Sequence, residues 1–194
     1  MDSFPAFFPL AGRRIVLAGS SDQAQGKARL FVGSPAVVER IGGEAAFDPG
    51  SYRGAALAFI DGEDLAFAER AAAAARAAGV PVNVVDRPAM CDFFTPAIVD
   101  RGQVVAAVGT GGSSPVLAQV LRGALEQAVP QGAGRIAALL GEFRAELRAA
   151  IPDMAERREF VMVELSGQAV RAALDDDMDK ARRLMRETLA AVRR

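Results

Sequence analysis

Ile15-Val16-Leu17-Ala18-Gly19-Ser20-Ser21-Asp22 decides the fold. Four apolar residues in a row, without polar alternation, suit a strand buried on both faces. The Gly-Ser-Ser-Asp that follows suits a tight turn, and a helix is expected over residues 22–31. Outward from this stretch the pattern repeats. Residues 36–41 read as a second short strand before Gly42-Gly43, and residues 56–60 as a third, ended by Asp61-Gly62. Residues 64–78 are alanine-rich and strongly helix-forming, with Gly79 as a natural stop. Residues 80–85 read as a fourth strand with Asp86 at its end. Short continuous strands alternating with helices predict an α/β domain built on a parallel, doubly wound sheet.

Residues 103–108 read as one more strand, leading into Gly109-Thr110-Gly111-Gly112-Ser113-Ser114-Pro115. Ser114 as N-cap and Pro115 at the first helical position start a helix. Its apolar face runs through Val116, Leu117, Val120, Leu121, Ala124, Leu125 and Ala128. Beyond Pro130 the periodicity is only helical. One helix is expected through Ile136, Leu139, Leu140, Phe143 and Leu147, a second over residues 153–165, and a last one announced by Asp175-Asp176-Asp177. The chain therefore reads as α/β to about residue 112 and mostly helical after it.

Composition narrows the chemistry. Lys plus Arg is 23 against 24 Asp plus Glu, a net charge of −1, which argues against a nucleic-acid binder. There is no histidine and one cysteine, Cys91. An internal disulfide and a Ser-His-Asp triad are excluded and a Cys/His zinc site nearly so, and proton transfer falls to Asp, Glu, Lys, Tyr or a cofactor. No run of 18 apolar residues occurs, so no membrane span is expected. The first ten residues lack the basic start of a signal peptide, and the expected location is cytoplasmic.

Four places could carry chemistry. The turn after the first strand could present backbone amides to a pyrophosphate, although the G-x-G-x-x-G pattern is eroded, with Ser21 at the second glycine position and Ala24 at the third. Glu39, twenty residues after Gly19, stands where an acid often binds the ribose of NAD, and Arg40 beside it could face a 2′-phosphate. The alternative is two charges on a surface strand end. Asp86, at the carboxyl edge of the sheet, is the best-placed proton carrier in a chain without histidine, its alternative being a cap or a salt bridge to Arg87. The Gly109–Ser114 loop, with a glycine pair and three hydroxyls, suits an anion, or is simply a capped turn. Cys91 reads as a packing residue, with no activating base in sight.

Together these segments resemble the precorrin-2 dehydrogenase / sirohydrochlorin ferrochelatase family, the N-terminal module of siroheme synthase. The resemblance rests on Phe7-Phe8-Pro9-Leu10 with Ala11-Gly12-Arg13-Arg14, on the Gly19 turn with Lys27-Ala28-Arg29-Leu30, and on Asn83-Val84-Val85-Asp86. It continues through Cys91-Asp92-Phe93-Phe94-Thr95-Pro96-Ala97-Ile98-Val99-Asp100-Arg101-Gly102 and Thr110-Gly111-Gly112-Ser113-Ser114-Pro115-Val116-Leu117-Ala118. It covers most of residues 5–125. Past residue 130 it is one of character, with Glu156-Arg157-Arg158-Glu159-Phe160 in keeping.

The resemblance implies a Rossmann-like dinucleotide-binding domain over residues 1–112, a dimerisation segment over 113–150 and a small helical domain over 151–194. It implies NAD-dependent dehydrogenation of precorrin-2, a carboxylate-rich reduced tetrapyrrole, to sirohydrochlorin, with Fe²⁺ insertion giving siroheme as the further step of bifunctional members. Asp86 takes the role of general base. Gly19, Ser20, Ser21, Asp22 and Gln23 form the cofactor turn, with further contacts from Arg40 and Ile41 and the ribose position at Glu39. Asn83, Thr110, Gly111, Gly112, Ser113 and Ser114 lie on the substrate side, Thr110 standing where some members carry a modified serine. No metal site is expected in the protein, because the macrocycle brings four nitrogen ligands. The implied partners are the tetrapyrrole, Fe²⁺ as a substrate and a second copy of the chain in a homodimer with Val116–Ala128 at its interface. No methyltransferase activity is expected, the chain ending at Arg194.

Three features depart from the family pattern: the Ser20-Ser21 erosion, a shortened stretch between Lys27 and Asn83 that reduces the second strand and its neighbouring helix, and Gly26 inside the first helix. They bear on NAD affinity more than on fold. They support an alternative, a tetrapyrrole-binding or regulatory relative that has lost the cofactor. A different Rossmann dehydrogenase is a third reading, against which stand the missing histidines and the lack of a Tyr-x-x-x-Lys pair, Tyr52 being the only tyrosine.

Overall fold

The four apolar runs become one parallel sheet: β1 (Arg14–Ala18), β2 (Val37–Ile41), β3 (Ala55–Ile60) and β4 (Val82–Val84), in the order β2-β1-β3-β4. The computed structural model describes residues 3–192; Met1, Asp2, Arg193 and Arg194, which the expected domain ranges include, lie outside them. Both faces of the sheet are covered, which is why β1 needs no polar alternation. On one face Ile15, Leu17, Leu57 and Phe59 form a small core, where Phe59 meets Phe31 and Phe93 edge to face. On the other, Val16, Ala18, Ala58, Ile60, Val82 and Val84 pack against helix α2 (Leu65–Ala77). Small alanines at 68, 71, 72 and 75 let that helix lie close to the strands. Asp64 caps it by accepting from the Ala66 and Phe67 amides.

The first helix is shorter than its pattern. Helix α1 spans Asp22–Ala28 and closes in a 3₁₀ turn, Arg29–Phe31. The chain from β2 to β3 carries no full helix. Two 3₁₀ turns, Gly43–Phe47 and Pro49–Tyr52, pass there instead and drop Ala46 and Tyr52 into the α2-side core. The Tyr52 hydroxyl donates to the Ala46 carbonyl at 2.8 Å, and burial pushes its pKa up to about 12.

The strand expected at residues 103–108 exists as β6 (Val104–Val108), but outside the parallel sheet. It pairs antiparallel with β5 (Ala97–Arg101), a strand the sequence reading missed. The loop between them is two residues long, and its first, Gly102, has φ +75°, a conformation that favours glycine in tight hairpins.

The chain forms two compact units. One holds the residues up to Thr95 together with Gly109–Ser114; the other holds Pro96–Val108 and the residues from Pro115 onward. The hairpin, on the amino-terminal side of the expected cut near 112, thus belongs to the second unit. There α3 (Pro115–Ala128) is tied to it by Arg122, whose Nε donates to the Ile98 carbonyl at 2.9 Å. The helix expected through residues 136–147 is two helices, α4 (Ala133–Glu142) and α5 (Arg144–Ala150), broken at the buried Phe143. Helix α6 (Met154–Glu164) is capped by Asp153, whose carboxylate accepts from the Ala155 and Glu156 amides. Helix α7 (Gln168–Leu174) was not foreseen, and α8 (Met178–Val192) follows the three aspartates. Leu139, Phe143, Leu147, Ala172, Met185 and Leu189 form the core of these helices.

Candidate functional site

In an open parallel sheet, ligands gather at the carboxyl ends of the strands. Here three turns meet that description: Gly19–Asp22 after β1, Asp61–Glu63 after β3 and Val85–Arg87 after β4. Close backbone contacts bind them together. The Gly19 amide donates to the Ile41 carbonyl at 3.0 Å, tying the first turn to the end of β2. A Cβ on Gly62 would stand 1.9 Å from the Val85 carbonyl oxygen, so glycine there is what lets the second and third turns touch. Arg87 adds a bond from its Nε to the Gly62 carbonyl at 2.7 Å.

Asp86 sits in the third turn with φ +56°, in the left-handed region that only Asn, Asp and Gly enter readily. The turn is pinned on both sides by Val85 donating to the Ile60 carbonyl and Arg87 donating to the Val84 carbonyl. The side chain is exposed and, among the described residues, makes no ion pair. Arg87, the partner a salt-bridge reading would give it, turns its Nε to the Gly62 carbonyl and forms no ion pair with Asp86. Beneath it, Asn83 is buried at 6% exposure, its Nδ2 donating to the Phe93 carbonyl at 2.9 Å. Asn83 was expected on the substrate side; its amide donor is consumed inside the fold, where it braces β4. Cys91 also packs there, donating to the Val84 carbonyl and accepting from the Val84 amide, both at 3.3 Å. Burial pushes its thiol pKa up, so it is a protonated packing group. Asp92 completes the brace by accepting from the Val82 amide and from Nε and Nη2 of Arg76.

The first turn has a resident that the sequence reading passed over. Gly19 has φ +113°, and a Cβ there would lie 2.2 Å from the Cβ of Asp61. Asp61 is 8% exposed. Its Oδ2 accepts from the Ser21 amide at 2.8 Å and its Oδ1 from the Glu63 amide at 3.1 Å. Burial acts to raise its pKa, but the Glu63 and Ser21 amides, the Ser21 hydroxyl and the Ser20 amide outweigh it and hold the carboxyl below its ordinary value. The Ser21 oxygen also accepts from the Ala24 amide at 3.2 Å and caps α1. Ser20, Asp22 and Gln23 are exposed beside it. The turn fits a dinucleotide in its place on the sheet and in its exposed residues Ser20, Asp22 and Gln23; the space at Gly19 and the Ser21 amide are already taken by Asp61. The signal for this was an aspartate ending the third apolar run, as Asp86 ends the fourth.

Glu39 and Arg40 point to opposite faces of β2. Glu39 accepts from Arg14 at 2.6 Å, and that arginine also donates to the Ser51 and Arg53 carbonyls, so Glu39 serves as a structural partner. Arg40 donates to Gln25 at 2.9 Å and lines an open groove of about 370 Å³ with Arg29, Phe31 and Val38. In the glycine loop, Thr110 Oγ1 donates to the Ser114 carbonyl and accepts from the Ser114 amide, closing the turn. Gly111 and Gly112 have φ +61° and +81°, and added Cβ atoms would meet nothing within 4 Å, so conformation rather than space calls for glycine. Among the described residues no three Asp, Glu, His or Cys side chains gather to hold a metal ion, and no helix is long and apolar enough to cross a membrane.

Comparison with known proteins gives two family matches. Residues 6–97 match a family described as "Putative NAD(P)-binding", and residues 132–189 match the sirohaem synthase dimerisation region. The second match runs from the start of α4 into α8, across the boundary expected at residue 150. Over 98% of its length the chain is 35% identical to a siroheme synthase of Azotobacter vinelandii. It is 36% identical, again over 98%, to one of Pseudomonas aeruginosa strain UCBPP-PA14, and 35% identical over its full length to one of Methylococcus capsulatus. The chain spans about 45% of the length of these relatives. A solved structure of SirC, precorrin-2 dehydrogenase, superposes with a TM-score of 0.69 at 13% identity, covering 92% of this chain and 100% of that one, and so shares its fold.

Proposed function

We propose that this chain belongs to the precorrin-2 dehydrogenase / sirohydrochlorin ferrochelatase family, the N-terminal module of siroheme synthase, and oxidises precorrin-2 to sirohydrochlorin with NAD⁺. The observation that carries the reading is Asp86: an exposed carboxylate, unpaired by any cation among the described residues, held in a left-handed turn at the rim where the Gly19 turn also ends. NAD⁺, when bound, supplies the hydride acceptor. The Gly19–Gln23 turn holds the diphosphate, with Arg40 and Ile41 beside it. Asp86 takes the proton that the macrocycle loses, onto a carboxylate oxygen. Asn83 positions the Asp86 turn from below, and the Thr110–Ser114 loop orients the substrate. Fe²⁺ insertion is the second step of this reading; the macrocycle supplies the nitrogen ligands and the protein removes protons.

The match of residues 132–189 to a dimerisation region supports a homodimer. Val116 and Val120 on α3 are 75% and 65% exposed, which supports residues 113–150 as part of its interface, with 151–194 as a helical domain. A cytoplasmic location belongs to the same reading, as the compartment of NAD⁺ and the reduced tetrapyrrole.

One observation favours a second reading. The Asp61 carboxylate occupies the Ser21 amide that a diphosphate would use, which supports a relative that binds tetrapyrrole without the cofactor. An anaerobic assay separates the two. Purified protein and precorrin-2 are followed at the sirohydrochlorin absorbance with and without NAD⁺, then after Fe²⁺ is added. NAD⁺-dependent formation of sirohydrochlorin is expected; its absence, with tetrapyrrole still bound, favours the second reading.

A further inference from the structure

We infer that Asp61 is a resident anion in the dinucleotide turn and sets how weakly this chain holds its cofactor, an inference that rests on the NAD⁺ reading above. A turn that receives a diphosphate offers backbone amides, a hydroxyl and a glycine that lets the ligand come close. In the Gly19 turn the Ser20 and Ser21 amides, the Ser21 hydroxyl and the space at Gly19 are aimed at Asp61. The missing Cβ of Gly19 is the space its side chain fills, 2.2 Å from Cβ to Cβ in a substituted chain. The Ser21 amide donates to it at 2.8 Å, and the Glu63 amide at 3.1 Å. Among the described residues no cation pairs with it; amides and a hydroxyl satisfy it, as they would a phosphate oxygen.

The eroded glycine pattern and the buried aspartate are therefore one feature. Ser21, where the fingerprint has glycine, caps α1 and holds Asp61 at once. The carboxylate stays ionised at neutral pH because its donors hold it below the ordinary range. A diphosphate entering this turn meets a fixed negative charge at close range, in a place where water screens poorly, and must displace it from the Ser21 amide. A neutral residue of the same size removes the charge and leaves the turn's shape.

The experiment is calorimetric titration of NAD⁺ into the full chain, wild type against Asp61→Asn and Ser21→Gly, with thermal melting to show that each is folded. Asp61→Asn is expected to bind NAD⁺ at least about tenfold more tightly than wild type. Ser21→Gly, which removes the hydroxymethyl side chain but keeps the Asp61 charge and the backbone amide that holds it, is expected to fall between them. Binding by wild type that neither folded variant improves overturns this inference and leaves the NAD⁺ reading standing. No heat from any of the three folded chains overturns both.

Discussion

Asp61 and Asp86 end neighbouring strands of one sheet, each just past the last apolar residue, and they do opposite things. Asp61 is drawn inward, its oxygens taken by the Ser21 and Glu63 amides. Asp86 is turned outward by a left-handed φ of +56°. The backbone around each decides this. A strand-end acid facing a turn rich in amides becomes part of the turn, while one lifted by a pinned left-handed residue is left for a ligand. Position at a sheet rim is thus not enough to name a functional acid; the donors within reach of it are the deciding fact.

The largest expected effect breaks the comparison on the outward side. Asp86→Asn keeps the left-handed turn accessible, so its melting temperature should match wild type while kcat for sirohydrochlorin formation falls by about a hundredfold or more. Gly62→Ala attacks the contact between the two turns. Its Cβ would stand 1.9 Å from the Val85 carbonyl oxygen, and urea unfolding should show a loss of about 2–3 kcal/mol.

Asp61→Ala tests the inward side, since it strands the Ser21 and Glu63 amides; a cost of about 1–3 kcal/mol is expected in urea, against little for Asp86→Asn. The pH dependence sharpens this. The folded pKa of Asp61 lies below its unfolded value, so its contribution is complete above the ordinary carboxylate range and lost as pH falls through the lowered folded value. The stability gap between wild type and Asp61→Asn should be flat near neutrality and close in acid. The smallest effect belongs to Glu39→Ala: its ion pair with Arg14 is part-exposed, so less than about 1 kcal/mol should be lost.

Much of this was legible in the sequence because burial on both faces leaves a continuous apolar run, and β1, β3 and β4 announce themselves that way. The β5–β6 hairpin was half visible: β6 is a continuous apolar run, Val104–Val108, whereas β5 has only three apolar residues between Pro96 and the charged Asp100-Arg101. Helix α7 was missed because it is only seven residues long, about two turns, so its exposed Gln168 and Arg171 against buried Ala169, Val170, Ala172 and Ala173 give too short a period to stand out. Phe143 looked like one more apolar position of a longer helix, yet it is the residue at which that helix breaks. At the site, Asp86 was legible from the strand it ends. Asp61 was not, because the amide it takes lies forty positions earlier and only the sheet brings them together. Glu39 looked like a ribose acid by spacing; its partner Arg14, twenty-five residues away, could not be read from that spacing.

The central claim is that this sheet rim joins a hydride acceptor to a carboxylate that takes a proton from the macrocycle. The most direct test is the anaerobic conversion of precorrin-2 by the wild-type chain as NAD⁺ is varied, with NADH and sirohydrochlorin followed together. One NADH formed for each sirohydrochlorin, and none of either without NAD⁺, is the expected result. Sirohydrochlorin formed at the same rate without NAD⁺, or no conversion by folded protein at saturating NAD⁺, would contradict it.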